Sequence, residues 1–386
     1  MNKNEERHIA ILLGAGFSIP AGLPSANTLS EKIKATIYDC VRKSFKEGEN
    51  SIFESYILEK VLIDYDCSIN NFDYELYYDY LIKETKNKLD EDRFISFIER
   101  GMYGYFWKQS RGSGIETKQH SEQIKTMINA IPIEEYTDYV KGKIAWYQEV
   151  IAKNILGNTN NGKIETFNPC YQGFIDILTK FVNQNYVIDI YTLNHDLILE
   201  SLLSLTRMKD NVSNGFGDKI KQLNKIDYKT FGIDNYNKPI RIYKLHGSID
   251  IHELSYSGKT DIDYIQIVNG YSDKNAFIMD NTQFASINPL FLTGKTSKQN
   301  QYSKEPYIAL LNECSNKLEI AEKLVVIGYS GNDEGINEII INQFRNWNNA
   351  FVISPNAKAH EFVTKNGAKA LNKGIELLNL NDIKNI

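Results

Sequence analysis

His8-Ile9-Ala10-Ile11-Leu12-Leu13-Gly14-Ala15-Gly16-Phe17-Ser18 is a short apolar run that stops abruptly at two glycines. The run is the length of a buried strand, and the glycines read as a turn into a helix that Ser25 or Asn27 could cap. The same signature recurs downstream. Apolar stretches at 187–192, 240–245, 324–327 and 351–353 end in Thr192-Leu193-Asn194-His195-Asp196, His246-Gly247, Gly328-Tyr329-Ser330-Gly331-Asn332-Asp333 and Ser354-Pro355-Asn356. Residues 174–181, 197–205, 306–321 and 333–344 carry apolar positions at helical spacing between them.

Strand, turn and helix in alternation predict an α/β fold, a Rossmann-like parallel sheet with helices on both faces. Ligands of such sheets sit at the carboxyl ends of the strands, where all five polar motifs fall. From about residue 30 to 154 the pattern changes to three-and-four spacing with almost no proline, which reads as a large helical insertion with a loop at 101–114. The expected domains are therefore 1–30 with 166–386, and the insertion 31–165. Residues 251–303, rich in Gly, Asp, Asn and Thr, read as an irregular, partly β excursion with short alternating runs at 264–268 and 276–279.

Composition excludes several classes. The 386 residues are 42% hydrophobic and 24% charged, ordinary globular usage. Net charge is -5, so nucleic-acid binding is not indicated. No apolar stretch approaches the ~18 residues of a membrane span. Four scattered cysteines, Cys40, Cys67, Cys170 and Cys314, form no C-x-x-C pair, which predicts no zinc site and suits a reducing cytoplasm.

Each motif has a bland reading beside the chemical one. Gly14 and Gly16 would let backbone amides approach a pyrophosphate, or they form a tight turn with no ligand. The dinucleotide pattern G-x-G-x-x-G is not met, because Ile19 stands where its last small residue would be. Gly294-Lys295-Thr296 is not a phosphate loop either, since Pro289 occupies the position of the first glycine. Asn194 offers a donor and an acceptor to a sugar hydroxyl or a water; Asp196 could accept from ribose or cap the next helix. His195 reads as structural. His246, at a strand end and followed by glycine, is placed to act as a general base at neutral pH.

In order, the glycine turn Gly14 to Ser18, the T-x-N-x-D segment Thr192 to Asp196, His246-Gly247 and Gly328-Tyr329-Ser330 resemble the motifs of the sirtuin family. The resemblance covers about residues 8–30 and 166–375. It implies NAD as substrate, with Asn194 and His246 catalytic. It also implies nucleotide contacts from Gly14, Ala15, Gly16, Ser18, Thr192, Asp196, Gly328, Ser330, Asn332, Asp333 and Ser354. Two departures stand out. Sirtuin deacylases carry a four-cysteine zinc module after the His-Gly, whereas no cysteine lies between Cys170 and Cys314; Ser25-Ala26-Asn27 stands near the place of their Asp-Phe-Arg segment. The chain is more similar to sirtuin-like NAD-consuming effectors of bacterial anti-phage defence, including those paired with a HerA-type ATPase.

That resemblance implies an NAD glycohydrolase releasing nicotinamide and ADP-ribose, cytoplasmic, without a metal, acting as a homo-oligomer or with a HerA-type ATPase. A deacylase would share every NAD motif. A module that only senses NAD or ADP-ribose would bind without turnover.

Overall fold

The computed structural model describes residues 6–47, 72–79, 147–156, 162–223, 226–256, 259–268, 283–285, 289–294, 296–379, 381–382 and 386. The loop expected at 101–114 and the alternating run at 276–279 lie outside these residues. By internal contacts the chain divides into two units, one made of Met1–Ala26, Ala152–Thr293 and Lys298–Ile386, the other of Asn27–Ile151 and Gly294–Ser297.

The first unit is built on a seven-stranded parallel sheet. Its strands are β1 (Arg7–Leu13), β2 (Tyr186–Thr192), β3 (Val212–Ser213), β6 (Ile240–Lys244), β10 (Ala321–Ile327), β11 (Ala350–Ser354) and β12 (Lys369–Asn372). They lie in the order β12-β11-β10-β1-β2-β6-β3. Strand β1 is central and buried along nearly its whole length, which is why it reads as a continuous apolar run rather than an alternating one. Its side chains still part to opposite faces. Ile9, Ile11 and Leu13 join a core with α2 (Gln172–Asn183) and α3 (Ile198–Ser204). Ala10 and Leu12 join another with α5 (Tyr307–Ile320) and α6 (Glu334–Gln343). Two helical layers therefore cover a Rossmann-like sheet.

The excursion after residue 251 is more regular than expected, and two strands from before it, within residues 221–230, join its sheet. Strands β4 (Lys221–Leu223), β5 (Ile226–Thr230), β7 (Ile251–Tyr256), β8 (Ile262–Ile267) and β9 (Gln283–Ala285) form a separate antiparallel sheet in the order β4-β5-β8-β7-β9. Its small core is Ile226, Tyr228, Leu254, Ile265 and Ile267. Alternate residues of β5 face that core, as a sheet with one buried face requires.

The described residues of the second unit include most of α1 (Ala26–Glu47), whose first residue belongs to the first unit, and the helical residues 74–79 and 147–151. Tyr147 donates to the Tyr74 carbonyl at 2.9 Å and packs edge-on to Tyr77 at 4.9 Å between ring centres. Ile33 and Ile37 of α1 are fully buried. The helix expected after the glycine turn is delayed. Two short 3-10 turns, Ala15–Phe17 and Ile19–Ala21, come first, because Pro20 and the αL Gly22 interrupt the run before α1 starts at Ala26.

Candidate functional site

Strand order reverses at β1. The chain passes from β1 to β2 on one side and later returns to β10 on the other, so the loops after β1 and β10 diverge at the switch point where such sheets bind ligands. The motifs after β1, β2, β6 and β10 all open there.

Asn194 ties the site together. Its side-chain amide donates to the Gly14 carbonyl and to Ser18 Oγ, both at 3.0 Å, and its backbone N–H bonds Thr192 Oγ1 at 3.1 Å. Both amide hydrogens are thus committed to the turn after β1, leaving Oδ1 as the group that can accept from a ligand hydroxyl. Ser18 passes the network on by donating to Asp196. The Asp196 carboxylate accepts from Ile198 N–H at 3.0 Å, a local turn two residues on, while Leu197 is the N-cap of α3. Burial pushes the Asp196 carboxyl up, against the pull of the Lys244 ammonium and these hydrogen bonds. Thr192 and Ser18 are almost fully enclosed, so they position Asn194 rather than present an open surface.

The glycine turn serves the protein first. Gly14 N–H bonds the Ile327 carbonyl at 3.0 Å and Gly16 N–H the Gly328 carbonyl at 2.9 Å. The amides of Phe17 and Ser18 close on Gly14 and Ala15. The Gly14 and Gly16 amides, in the turn expected to approach a pyrophosphate, donate here to the end of β10. A Cβ on Gly16 would lie 2.7 Å from Gly328 Cα, so these glycines let the ends of β1 and β10 touch. Ala15, exposed, is the outward member of the turn.

His246 sits two residues beyond β6 and is 3% exposed. Its turn is pinned from the second sheet's side: Leu292 N–H bonds the His246 carbonyl at 2.7 Å, and Ser248 N–H bonds the Leu290 carbonyl at 3.0 Å. Gly247 has φ +76°, and a Cβ there would meet Leu290 O at 2.2 Å, so only glycine follows this histidine without strain. The ring Nε2 lies 2.9 Å from Tyr302 Oη and 3.2 Å from Asp333 Oδ2. Tyr302 Oη also lies 3.2 Å from that same oxygen, closing a triangle. Asp333 caps α6 through Ile336 N–H at 3.1 Å, and Lys298 Nζ stands 3.8 Å away. Burial opposes its charge, but the hydrogen bond and charge of His246, with Lys298, hold the carboxyl well below the usual range. Asp333, expected on the adenosine half of a nucleotide, lies against His246.

Tyr302 and Lys298 escaped sequence reading. They lie in a polar stretch with no strand before it, and only the fold brings them beside His246. His195, expected to be structural, has its ring 4.9 Å from Phe291 and 6.3 Å from His246. Its Nδ1 is buried without a hydrogen-bond partner, and burial first, then neighbouring charges, hold its pKa well below the usual value. Ser330 and Asn332 are exposed on the loop after β10, and Ser354 is half-buried at the end of β11. Neither loop residue nor Ser354 shares the triangle around His246. The loop is braced internally: Tyr329 Oη donates to Asn337 Oδ1 at 2.8 Å, and Asn337 Nδ2 donates to the Gly331 carbonyl at 2.7 Å.

Among the described residues no helix is long and apolar enough to cross a membrane, and no group of three or more His, Cys, Asp or Glu side chains is placed to hold a metal. The sequence matches no protein-family model and no curated protein. Solved structures similar to the chain include a mutant Sir2 homologue in complex with ADP-ribose, at 11% identity over 99% of this chain and 92% of that one, with a TM-score of 0.39. Sir2Tm bound to a propionylated peptide is similar at 12% identity, over 99% of this chain and 92% of that one, with a TM-score of 0.38. Scores of this size do not establish a shared fold, and the α/β class stands on the strand order and parallel register of the sheet itself.

Proposed function

We propose that the chain is an NAD glycohydrolase, cleaving the nicotinamide-ribose bond to give nicotinamide and ADP-ribose. The observation that carries this reading is the placement of Asn194 and His246 two residues beyond neighbouring paired strands, with Thr192 opposite Lys244 in the register. Nicotinamide leaves as a neutral pyridine and needs no proton. The site must instead stabilise an oxocarbenium-like ribose and orient water, which is a matter of positioning and electrostatics. Asn194, with its amide hydrogens fixed on Gly14 and Ser18, uses Oδ1 to accept from a ribose hydroxyl or the attacking water. His246 donates Nε2–H to Asp333, which leaves Nδ1 as the nitrogen that accepts a proton from the same hydroxyls or water. The outer loops, with Ala15, Gly328, Ser330, Asn332 and Ser354, are left for the rest of the nucleotide.

An NAD hydrolase that is always active would exhaust its host, so the reading includes control. A homo-oligomer or a HerA-type ATPase is the regulator, the insertion expected from sequence at 31–165 is the contact surface, and anti-phage defence is the setting. Purified protein incubated with NAD, alone and with a candidate ATPase, tests both parts through nicotinamide release. Undiminished turnover in well-folded Asn194→Ala and His246→Ala variants removes the assignment. Turnover that depends on an acyl-lysine peptide makes the chain a deacylase instead, and binding without turnover makes it a sensor.

A further inference from the structure

We infer that Lys244 is a positioning residue that clamps the Asn194 segment to the His246 segment. The inference rests on the proposed reaction for its kinetic readout only. Lys244 ends β6, two residues before His246, and is 6% exposed. Its ammonium donates to the Asp196 carbonyl, the end of the Thr192 to Asp196 segment, and lies 3.3 Å from Glu200 Oε1 in the first turn of α3. One side chain therefore spans the two strand ends that carry the candidate catalytic pair.

The surroundings argue against simple stabilisation. The Asp196 carboxylate, Glu200, Asp250 and the neutral His195 ring all face this region. Glu200 Oε2 and Asp250 Oδ1 are buried without hydrogen-bond partners, so the ionic set is incompletely satisfied. A buried pair of this kind is commonly no more stable than apolar residues of the same volume. The flank of Lys244 lines a cavity with Asn214, Tyr236, Gly247 and Tyr307, where an apolar side chain would be at home. The backbone already joins the two segments through Leu245 N–H to the Thr192 carbonyl and Ile249 N–H to the His195 carbonyl, and what the ammonium adds over an apolar side chain is a tie at the far end, on the Asp196 carbonyl.

The test compares Lys244→Met, Lys244→Met/Glu200→Leu and Glu200→Gln in the full chain. Lys244→Met strands the Glu200 charge and lowers both thermal stability and turnover. The double variant removes both charges and regains thermal stability, yet kcat for nicotinamide release stays about 30- to 100-fold below wild type with KM within about threefold, as expected of a misplacement near 1 Å. Glu200→Gln keeps the bond to the Asp196 carbonyl and keeps kcat within about threefold, by the same geometric criterion. A second readout does not depend on turnover. Amide hydrogen exchange at Asn194 to Asp196 and at His246 accelerates about tenfold or more in the double variant, the sign of local opening without global unfolding. Wild-type kcat in a folded double variant, or unchanged exchange at both segments, overturns the clamp. Absence of NAD cleavage by the wild type overturns the proposed reaction, and the exchange measurement still decides on Lys244. A double variant that does not fold leaves Glu200→Gln to decide, since a 100-fold loss there would assign the effect to the ion pair rather than the carbonyl bond.

Discussion

His246 Nε2 lies 3.2 Å from Asp333 Oδ2, joining the turn after β6 to the N-cap of α6 across the strands between them. A histidine fixed in this way by a carboxylate has a defined ring orientation and a partner for the positive charge it would gain as a base. Asp333→Asn keeps the cap and the size of the side chain but removes the charge. Turnover of NAD is expected to fall by about 10- to 100-fold, within the range for general acid–base catalysis. Steady-state nicotinamide release measures it, and full activity would show that the carboxylate does not serve the histidine.

The same pair predicts a pH dependence of stability. The Asp333 carboxyl is held below its ordinary value in the folded chain. A depressed carboxyl contributes stability that is fully present above its unfolded value of about 3.9 and is lost as pH falls toward the folded value. Urea midpoints of wild type and Asp333→Asn should therefore differ most above about pH 5 and converge as pH falls below about 4. A gap that widens on acidification would contradict the assignment.

Tyr302 shares His246 Nε2 at 2.9 Å. Tyr302→Phe keeps the ring but removes the hydroxyl that donates to Asp333 beside that nitrogen. The kcat for nicotinamide release is expected to fall about threefold to tenfold with KM little changed, the effect of a net hydrogen bond of about 1 kcal/mol. A loss of kcat near 100-fold would instead place the hydroxyl in the chemistry.

Asn194→Ala leaves the Gly14 carbonyl and Ser18 Oγ without the donor they now share. Each buried group left unsatisfied costs about 1–3 kcal/mol, so the variant is expected to lose stability as well as nicotinamide release. Thermal melts and turnover should be compared with Asn194→Ser, which restores only one donor. Equal stability of Asn194→Ala and wild type would mean water replaces the amide at no cost.

Gly16→Ala introduces a Cβ 2.7 Å from Gly328 Cα, a backbone atom that cannot rotate away. Overpacking of this kind costs about 1–3 kcal/mol, and the strand ends of β1 and β10 should separate. Chemical denaturation of the variant, compared with Ala15→Ser at the exposed neighbouring position, checks whether the contact is as close as described.

The sheet was legible because its central strands are buried on both faces and read as unbroken apolar runs that end in glycine, asparagine or histidine. The places of the polar motifs followed from that pattern, with Asn194 and His246 each two residues beyond a strand. The second antiparallel sheet was not legible as such, because β4, β5 and β9 are short and lie in polar sequence where turn residues dominate. Tyr302 and Lys298 were hidden for a related reason: nothing local marks a tyrosine in a polar stretch as the neighbour of a histidine 56 residues away. The glycine turn was legible in place, but its bonds to the neighbouring strand were not. Its amides at Gly14 and Gly16 bond β10's end, a partner that only the sheet order reveals.

The position of β1 at the middle of the sheet bears on how the protein comes to exist in a cell. The ribosome completes this strand first, yet its neighbours begin at Tyr186 and Ala321, and the carboxylate beside His246 is residue 333. At about 5–20 residues per second, the central strand waits many seconds for the partners that bury it. Until then its apolar edges are open to chaperones and to misassembly. A nascent or prematurely terminated chain that stops before Asp333 carries Asn194 and His246 without the group that orients the histidine. Synthesis as far as Asp333 is thus a checkpoint on whatever chemistry the strand ends perform.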